Sequence, residues 1–200
     1  MQADIWVNNT FTSYQGTGHL LGMRQHFIRF AGCGVACPIR TQCDEQPALT
    51  RRHATQRSID DLVAESMGAV GNGGWVHITG GEPTDQDAGL QGLVRELRRN
   101  GMYVHVQTSG VRRVPVQWDW ITVSPKVKPP LQTFGQELVV IDDGSWSADD
   151  LRSVADATKF WIYYLCPLWG RSPELTSALA KAAGPDWNMT IQAHKHWGVR

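Results

Sequence analysis

The stretch FIRFAGCGVACPIRTQCDE, residues Phe27–Glu45, places three of the chain's four cysteines within eleven positions, behind an apolar run and ahead of an acidic pair. The run from His26 to Gly32 reads as a β-strand, and the glycines and proline that follow let a loop wrap. Three and then five residues separate Cys33, Cys37 and Cys43, while Cys166 stands far away. A structural zinc normally takes four ligands. Three thiolates on a 4Fe–4S cube leave one iron open to a substrate or cofactor, whereas fully ligated cubes serve electron transfer. The residues alone leave three readings: an open cluster, a zinc site completed by His53 or Asp44, and three unrelated loop cysteines.

Working outward, TGGEP (Thr79–Pro83) closes a second strand, Trp75 to Gly81. Its two glycines allow close backbone approach to a ligand, and their amides suit a carboxylate. Glu82, fixed by Pro83, offers a carboxylate to an amine, so the motif suits the zwitterionic end of an amino acid. It equally suits a tight turn capped by an acid.

Helices and strands alternate around these motifs. Ser58, with Asp61 three residues later, opens a helix whose inward face is Ile59, Leu62, Val63 and Met67. The helix after TGGEP buries Leu90, Leu93, Val94 and Leu97, carries Arg95, Arg98 and Arg99 in its last turns, and stops at Asn100-Gly101. Strands follow at Met102 to Gln107, Trp120 to Val123 and Glu137 to Ile141. Ser147 then opens a helix with Leu151, Val154 and Ala155 inward. After a strand at Phe160 to Leu165, Ser172-Pro173 opens a helix with Leu175, Ala178 and Leu179 inward, and the last strand is Met189 to Gln192. This alternation predicts an α/β fold with a mostly parallel sheet of six or seven strands, too few for a closed eight-fold barrel and therefore open or partial. No repeat or linker divides the chain, so residues 1–200 read as one domain. The candidate motifs all follow strands, where such folds carry their chemistry, and this argues for one shared active site.

Composition excludes several classes. The 200 residues are 42% hydrophobic and 19% charged, with 19 basic against 19 acidic residues, so nothing marks a nucleic-acid or membrane partner. No run is long enough to span a membrane, and the N-terminus lacks the pattern of a signal peptide. Four cysteines do not make a disulfide scaffold; clustered thiols point to the cytosol and to metal or redox chemistry. Nine tryptophans are many, enough for a core and for the wall of a flat pocket.

With a three-cysteine loop after one strand and GGEP after the next, the chain resembles the radical S-adenosylmethionine enzymes. Within them it is similar to the 7-carboxy-7-deazaguanine synthase family. The likeness runs through SYQGTGHLLGMRQHFIRFAGC, CDE, HITGGEP, VQTSG, WDWITVSPK, YYLCP and IQAHKHWGV, in order and nearly end to end. It implies a partial βα barrel and a carbon–nitrogen lyase that contracts the ring of 6-carboxy-5,6,7,8-tetrahydropterin, with loss of ammonia, in 7-deazapurine (queuosine or preQ0-type) biosynthesis. Cys33, Cys37 and Cys43 would hold the 4Fe–4S cluster. Gly80, Gly81, Glu82, Gln107, Ser124 and Lys126 would bind S-adenosylmethionine. Gln15, Thr17, Arg29, Thr79 and His194 would meet the substrate, Arg29 suiting its carboxylate. Magnesium would hold that carboxylate beside Asp44 and Glu45. The resemblance further implies a flavodoxin-type electron donor and a homodimer.

The chain departs from the family pattern at defined points. The second cysteine gap is five residues where two are usual, and Gln42 stands where an aromatic residue precedes the last cysteine. QGTG replaces QGEG at Thr17, CDE replaces CDT at Glu45, and QTSG replaces ETNG at Gln107. Cys166 replaces a glutamine before proline. Glu45 is expected to coordinate magnesium directly, against the alternative of a surface ion pair with Arg51 or Arg52. Two other functions fit these departures: a radical enzyme acting on a different pterin or purine-like molecule, and a zinc-stabilised binding module. His19, His53, His77 and His105 read as solvated or structural.

Overall fold

The computed structural model describes residues 4–199, which fall into two compact units. The first comprises residues 4–13, 24–108 and 113–121, and the second residues 14–23, 109–112 and 122–199.

The first unit is built from all but the last residue of β1 (Ile5–Tyr14) and from β2 (Arg24–Phe30), β3 (Thr55–Arg57), α1 (Ile59–Val70), β4 (Trp75–Gly80), α2 (Asp87–Arg99) and β5 (Tyr103–Thr108). Its strand order is β3-β1-β2-β4-β5. The β2–β4 and β4–β5 pairs are parallel, and β3 runs antiparallel to β1. Helix α1 starts where its cap predicts, the Asp61 N–H donating to Ser58 Oγ at 3.1 Å. It buries Ile59, Leu62 and Val63, but Ser66 takes the inward position expected of Met67, its hydroxyl donating to the Leu62 carbonyl at 2.7 Å. That local bond lets the small polar side chain sit inside at little cost. Helix α2 buries Leu90, Leu93, Val94 and Leu97 and ends at the Asn100 cap as expected.

Period-two alternation gives the parallel strands two different faces. Ile28, Phe30, Val76, Ile78, Val104 and Val106 are fully buried apolar residues on one. The other carries Phe27, Arg29, His77, Thr79, His105 and Gln107, with Phe27 opposite His77, Arg29 opposite Thr79 and His77 opposite His105. An apolar face packs a core, whereas a face of guanidinium, imidazole, hydroxyl and amide groups is equipped to bind.

The second unit contains the second half of β6 (Trp120–Val123) and all of β7 (Phe134–Asp142), α3 (Ala148–Ala157), β8 (Lys159–Pro167), α4 (Pro173–Ala183), β9 (Trp187–Met189) and α5 (Ala193–Trp197). The order β6-β7-β8-β9 is parallel throughout. Both strand orders are linear, so neither unit closes into a barrel, and parallel strands joined through helices make the fold α/β. The strands among the described residues number nine, more than the six or seven expected. Helix α3 has a full capping box between Ser147 and Asp150 and buries Leu151 and Val154, leaving Ala155 half-buried.

Two expectations fail here. In α4 the inward residues are Thr176, Ala180 and Ala183; Leu175 is 58% exposed, Ala178 is exposed and Leu179 half-buried. The cause is Asp142, a fully buried carboxylate at the end of β7. Thr176 Oγ1 donates to its Oδ2 at 2.7 Å, Arg171 Nε to the same oxygen at 2.8 Å, and the Gly144 N–H to Oδ1 at 3.0 Å. A buried carboxylate must be hydrogen-bonded, and meeting that demand rotates the helix past its leucines. The last strand is Trp187–Met189 rather than Met189 to Gln192. Thr190 Oγ1 instead accepts from the Gly18 N–H at 3.0 Å, and the Ala193 N–H donates to the Gly16 carbonyl at 2.9 Å.

Thr176→Val should therefore destabilise the fold by about 1–3 kcal/mol, the loss of one of the two hydrogen bonds to a buried carboxylate oxygen. Leu175→Gln should stay within about 0.5 kcal/mol of wild type. Urea unfolding of the two variants measures this; the reverse ranking would return Leu175 to the core.

Candidate active site

The thiol loop leaves β2 and closes on itself. The Gly32 N–H donates to the Ala48 carbonyl at 2.8 Å, and the Cys33 N–H to the Leu49 carbonyl at 3.2 Å. Arg40 Nη1 donates to the carbonyls of Cys33 (3.3 Å) and Val35 (3.4 Å), cross-bracing the turn between the first two cysteines. Cys33, Cys37 and Cys43 are all free and half-buried, and Cys43 Sγ accepts the Glu45 N–H at 3.4 Å. Burial pushes the Cys33 and Cys43 thiols up; the charges of Glu82 and Asp85 add to this for Cys33, and Cys37 lies close enough to add to it for Cys43. Among the described residues no three His, Cys, Asp or Glu side chains already form a metal-binding array. The donor set still fits an iron–sulfur group: accessible sulfurs, one already accepting an amide hydrogen as cluster sulfurs do. Binding would gather the thiols and release their protons. Cys166 lies fully buried in β8 of the second unit.

TGGEP fits against this loop through its backbone. The Gly81 N–H donates to the Phe30 carbonyl at 2.8 Å, and the Glu82 N–H to the Gly32 carbonyl at 3.0 Å. A Cβ on Gly81 would lie 2.0 Å from Gly32 O and 2.7 Å from Ala48 O. The expected use of the Gly81 amide for a ligand carboxylate is thus replaced: that N–H is engaged, and glycine is required because two backbones touch. Glu82 is buried and caps the turn after it, and Oε1 accepts from the Thr84 N–H (3.1 Å), Thr84 Oγ1 (2.7 Å) and Thr108 Oγ1 (2.7 Å). The capped turn is therefore present, and its carboxylate is held rigidly between the ends of β4 and β5.

On the polar face of the first unit, Arg29 and Thr79 are register partners and Gln107 neighbours His77. Arg29 Nη2 donates to Glu45 Oε1, while Asp44 is exposed. Glu45 thus pairs with Arg29 rather than with Arg51 or Arg52, and Arg51 lies instead over the Trp6 ring. His77 and His105 are not solvated: both are buried, their rings stacked with centroids 3.9 Å apart, and Gln25 Oε1 lies 3.1 Å from His105 Nδ1.

In the second unit Gln15, Thr17 and His194 come together around Gly16. The Gln15 side chain donates to the Thr17 carbonyl at 3.1 Å. A Cβ on Gly16 would meet His194 Nδ1 at 2.2 Å, so glycine lets the imidazole lie directly on the loop. Ser124 and Lys126 are half-buried, the Lys126 ammonium donating to Ser124 Oγ at 3.1 Å. Sequence reasoning missed Glu137, a fully buried acid in β7 that holds this loop. The His19 N–H donates to its Oε2 at 2.7 Å, and the Thr122 hydroxyl donates to Oε1. Its signal was a lone acid opening the apolar run ELVVI.

No family model matches the chain. It is 31% identical to the 7-carboxy-7-deazaguanine synthase of Synechocystis over 97% of its length and 93% of that protein. The enzymes of the same name from Caulobacter vibrioides (31% identical, covering 96% of the chain and 98% of the relative) and Bacteroides thetaiotaomicron (32%, covering 97% and 98%) are similar end to end. Its fold matches the crystal structure of QueE from Escherichia coli with a TM-score of 0.72, at 23% identity and over 96% of this chain and 95% of that one.

The stacked imidazoles predict acid sensitivity. Burial holds His105 down to about 3 and His77 well below the usual imidazole value, with the neighbouring His105 and Arg29 charges adding to the effect at His77. Below about pH 6.5 the unfolded chain protonates both while the folded chain does not. Their contribution is therefore fully present above about 6.5 and lost as pH falls toward 3, by up to about 1.4 kcal/mol per pH unit for each histidine. Urea midpoints at pH 7, 6 and 5 should fall less steeply in His105→Gln than in wild type. Parallel slopes would assign the acid sensitivity to other groups.

Proposed function

The chain belongs to the 7-carboxy-7-deazaguanine synthase family, and on that premise we propose that it contracts 6-carboxy-5,6,7,8-tetrahydropterin to 7-carboxy-7-deazaguanine, releasing ammonia, as a radical S-adenosylmethionine lyase of 7-deazapurine biosynthesis. The observation that carries this is end-to-end similarity to enzymes of that name, in a chain whose three free thiols share one loop packed against GGEP.

Cys33, Cys37 and Cys43 hold the cluster in this reading. When bound, the cluster and S-adenosylmethionine would supply the radical chemistry, which the protein has only to position. Glu82 takes the cofactor's ammonium; a carboxylate already fixed by Thr84 and Thr108 needs little reordering to do so. Gly80 and Gly81 bring the main chain close to the amino-acid end, Gln107 stands where the family carries an acid, and Ser124 and Lys126 serve the ribose. Arg29 reads the substrate carboxylate, a task suited to a guanidinium's paired donors. Thr79, Gln15, Thr17 and His194 orient the ring.

Magnesium requires oxygen ligands, which Asp44 and Glu45 provide on the thiol loop. A flavodoxin-type electron donor, a homodimer and a cytosolic setting complete the proposal. No helix of the described residues is long and apolar enough to cross a membrane.

Anaerobically reconstituted protein, given S-adenosylmethionine, reductant and the carboxytetrahydropterin, should release 7-carboxy-7-deazaguanine and ammonia, read by mass spectrometry. Alanine at Cys33, Cys37 or Cys43 should abolish both the iron–sulfur absorption and cofactor cleavage, and Cys166→Ala should spare both. Cofactor cleavage without product would reject this substrate. A need for Cys166 in cluster assembly would reject the three-ligand assignment.

A further inference from the structure

The Arg29–Glu45 pair lies well inside the surface, with Arg29 13% and Glu45 21% exposed. Aromatic rings set the guanidinium in place: its centre lies 4.4 Å from the centroid of Phe11, which stacks on Phe27 at 5.0 Å with the rings 4° from parallel. Phe11 therefore lies against one face of the guanidinium, and Arg29 Nη2 donates to Glu45 Oε1. The chemistry is that of an acid substrate on arginine, except that the carboxylate comes from the protein. The thiol loop fixes its position, because the Glu45 N–H is held on Cys43 Sγ and the Glu45 carbonyl accepts the Ala48 N–H at 3.0 Å.

Resting on the reading that Arg29 binds the substrate carboxylate, we propose that Glu45 is a specificity-determining residue. It is a built-in carboxylate that an incoming carboxylate must displace, and it makes that exchange depend on a divalent cation. Two carboxylates beside one guanidinium leave an excess negative charge in a poorly solvated place, which weakens binding. A divalent cation reverses the excess and can bind both the displaced Glu45 and the ligand carboxylate, since magnesium accepts a few carboxylate oxygens and fills its remaining positions with water. Without the cation, the site should discriminate against the very group that Arg29 is built to bind. A ligand lacking a carboxylate has nothing to exchange and should be indifferent to magnesium.

The test uses reconstituted protein with S-adenosylmethionine bound and no reductant, titrated by fluorescence with 6-carboxypterin and with unsubstituted pterin, in magnesium-free and magnesium-containing buffer. In wild type, magnesium should tighten 6-carboxypterin binding about ten-fold or more and leave pterin unchanged. Glu45→Gln keeps the size of the side chain and removes its charge; it should bind 6-carboxypterin about ten-fold more tightly than wild type without magnesium and respond little when magnesium is added. Glu45→Thr should move in the same direction, and the iron–sulfur absorption of each variant checks that its loop is intact. Superimposable wild-type and variant curves in magnesium-free buffer, with 6-carboxypterin still preferred over pterin, would overturn the role of Glu45 alone. If no protein distinguishes the two ligands in either buffer, Arg29 does not bind the carboxylate, and the substrate reading falls together with this inference.

Discussion

The first unit depends on a contact that leaves no room for a side chain. Gly81 lies against the carbonyls of Gly32 and Ala48, so closely that a single added carbon would overlap both. The missing Cβ allows the end of β4 to bond to the start of the thiol loop through two successive amides, and the same loop bonds to its own return through Gly32 and Cys33. Such backbone bonds satisfy groups that would otherwise be buried unpaired. They place the turn carrying Glu82 beside the segment carrying three cysteines. The carboxylate of Glu82 then ties that turn to Thr108 at the end of β5. A close backbone contact thus sets the positions of the thiols, a fixed carboxylate and the Arg29–Glu45 pair in one frame.

Much of the fold was legible because its signals are local. The face of α2 and its Asn100-Gly101 stop, the Ser58 cap of α1 and the Ser147–Asp150 box of α3 each follow from residues within a few positions of one another. The failures share a physical origin in contacts with distant residues. Helix α4 turns Thr176 inward because Asp142, 34 positions away, must be satisfied. The last strand stops early because Thr190 and Ala193 bond to the loop around Gly16 and Gly18. The alternation of strand β1, IWVNNTFTSY, is too weak and polar to read as a strand, and helix α5 has only five residues.

The candidate site divides in the same way. Motif order and spacing nominated the candidate residues, and the structure places Arg29, Thr79 and Gln107 on one polar face that period-two reading of the strands can recover. How those residues are held was not legible. The use of the Gly81 amide, the three donors on Glu82 and the bond from His19 to Glu137 all depend on how loops return. The pairing of Glu45 with Arg29, sixteen positions earlier, depends on the path of the thiol loop between them. Of the two readings of His77 and His105, solvated or structural, burial leaves the structural one, and their stacking depends on the register of β4 and β5.

In the proposed function, three thiols on one loop hold a cluster with a single open iron, beside a carboxylate that receives an amino acid. Electron–nuclear double resonance on the reduced, reconstituted protein tests it most directly, using S-adenosylmethionine labelled with ¹⁵N at its amino group and ¹⁷O at its carboxylate. Hyperfine coupling from both labels to one iron is expected, with the ¹⁵N coupling weakened or lost in Glu82→Ala. Absence of coupling from either label in the wild-type protein, with the cluster intact and the cofactor bound, would contradict it.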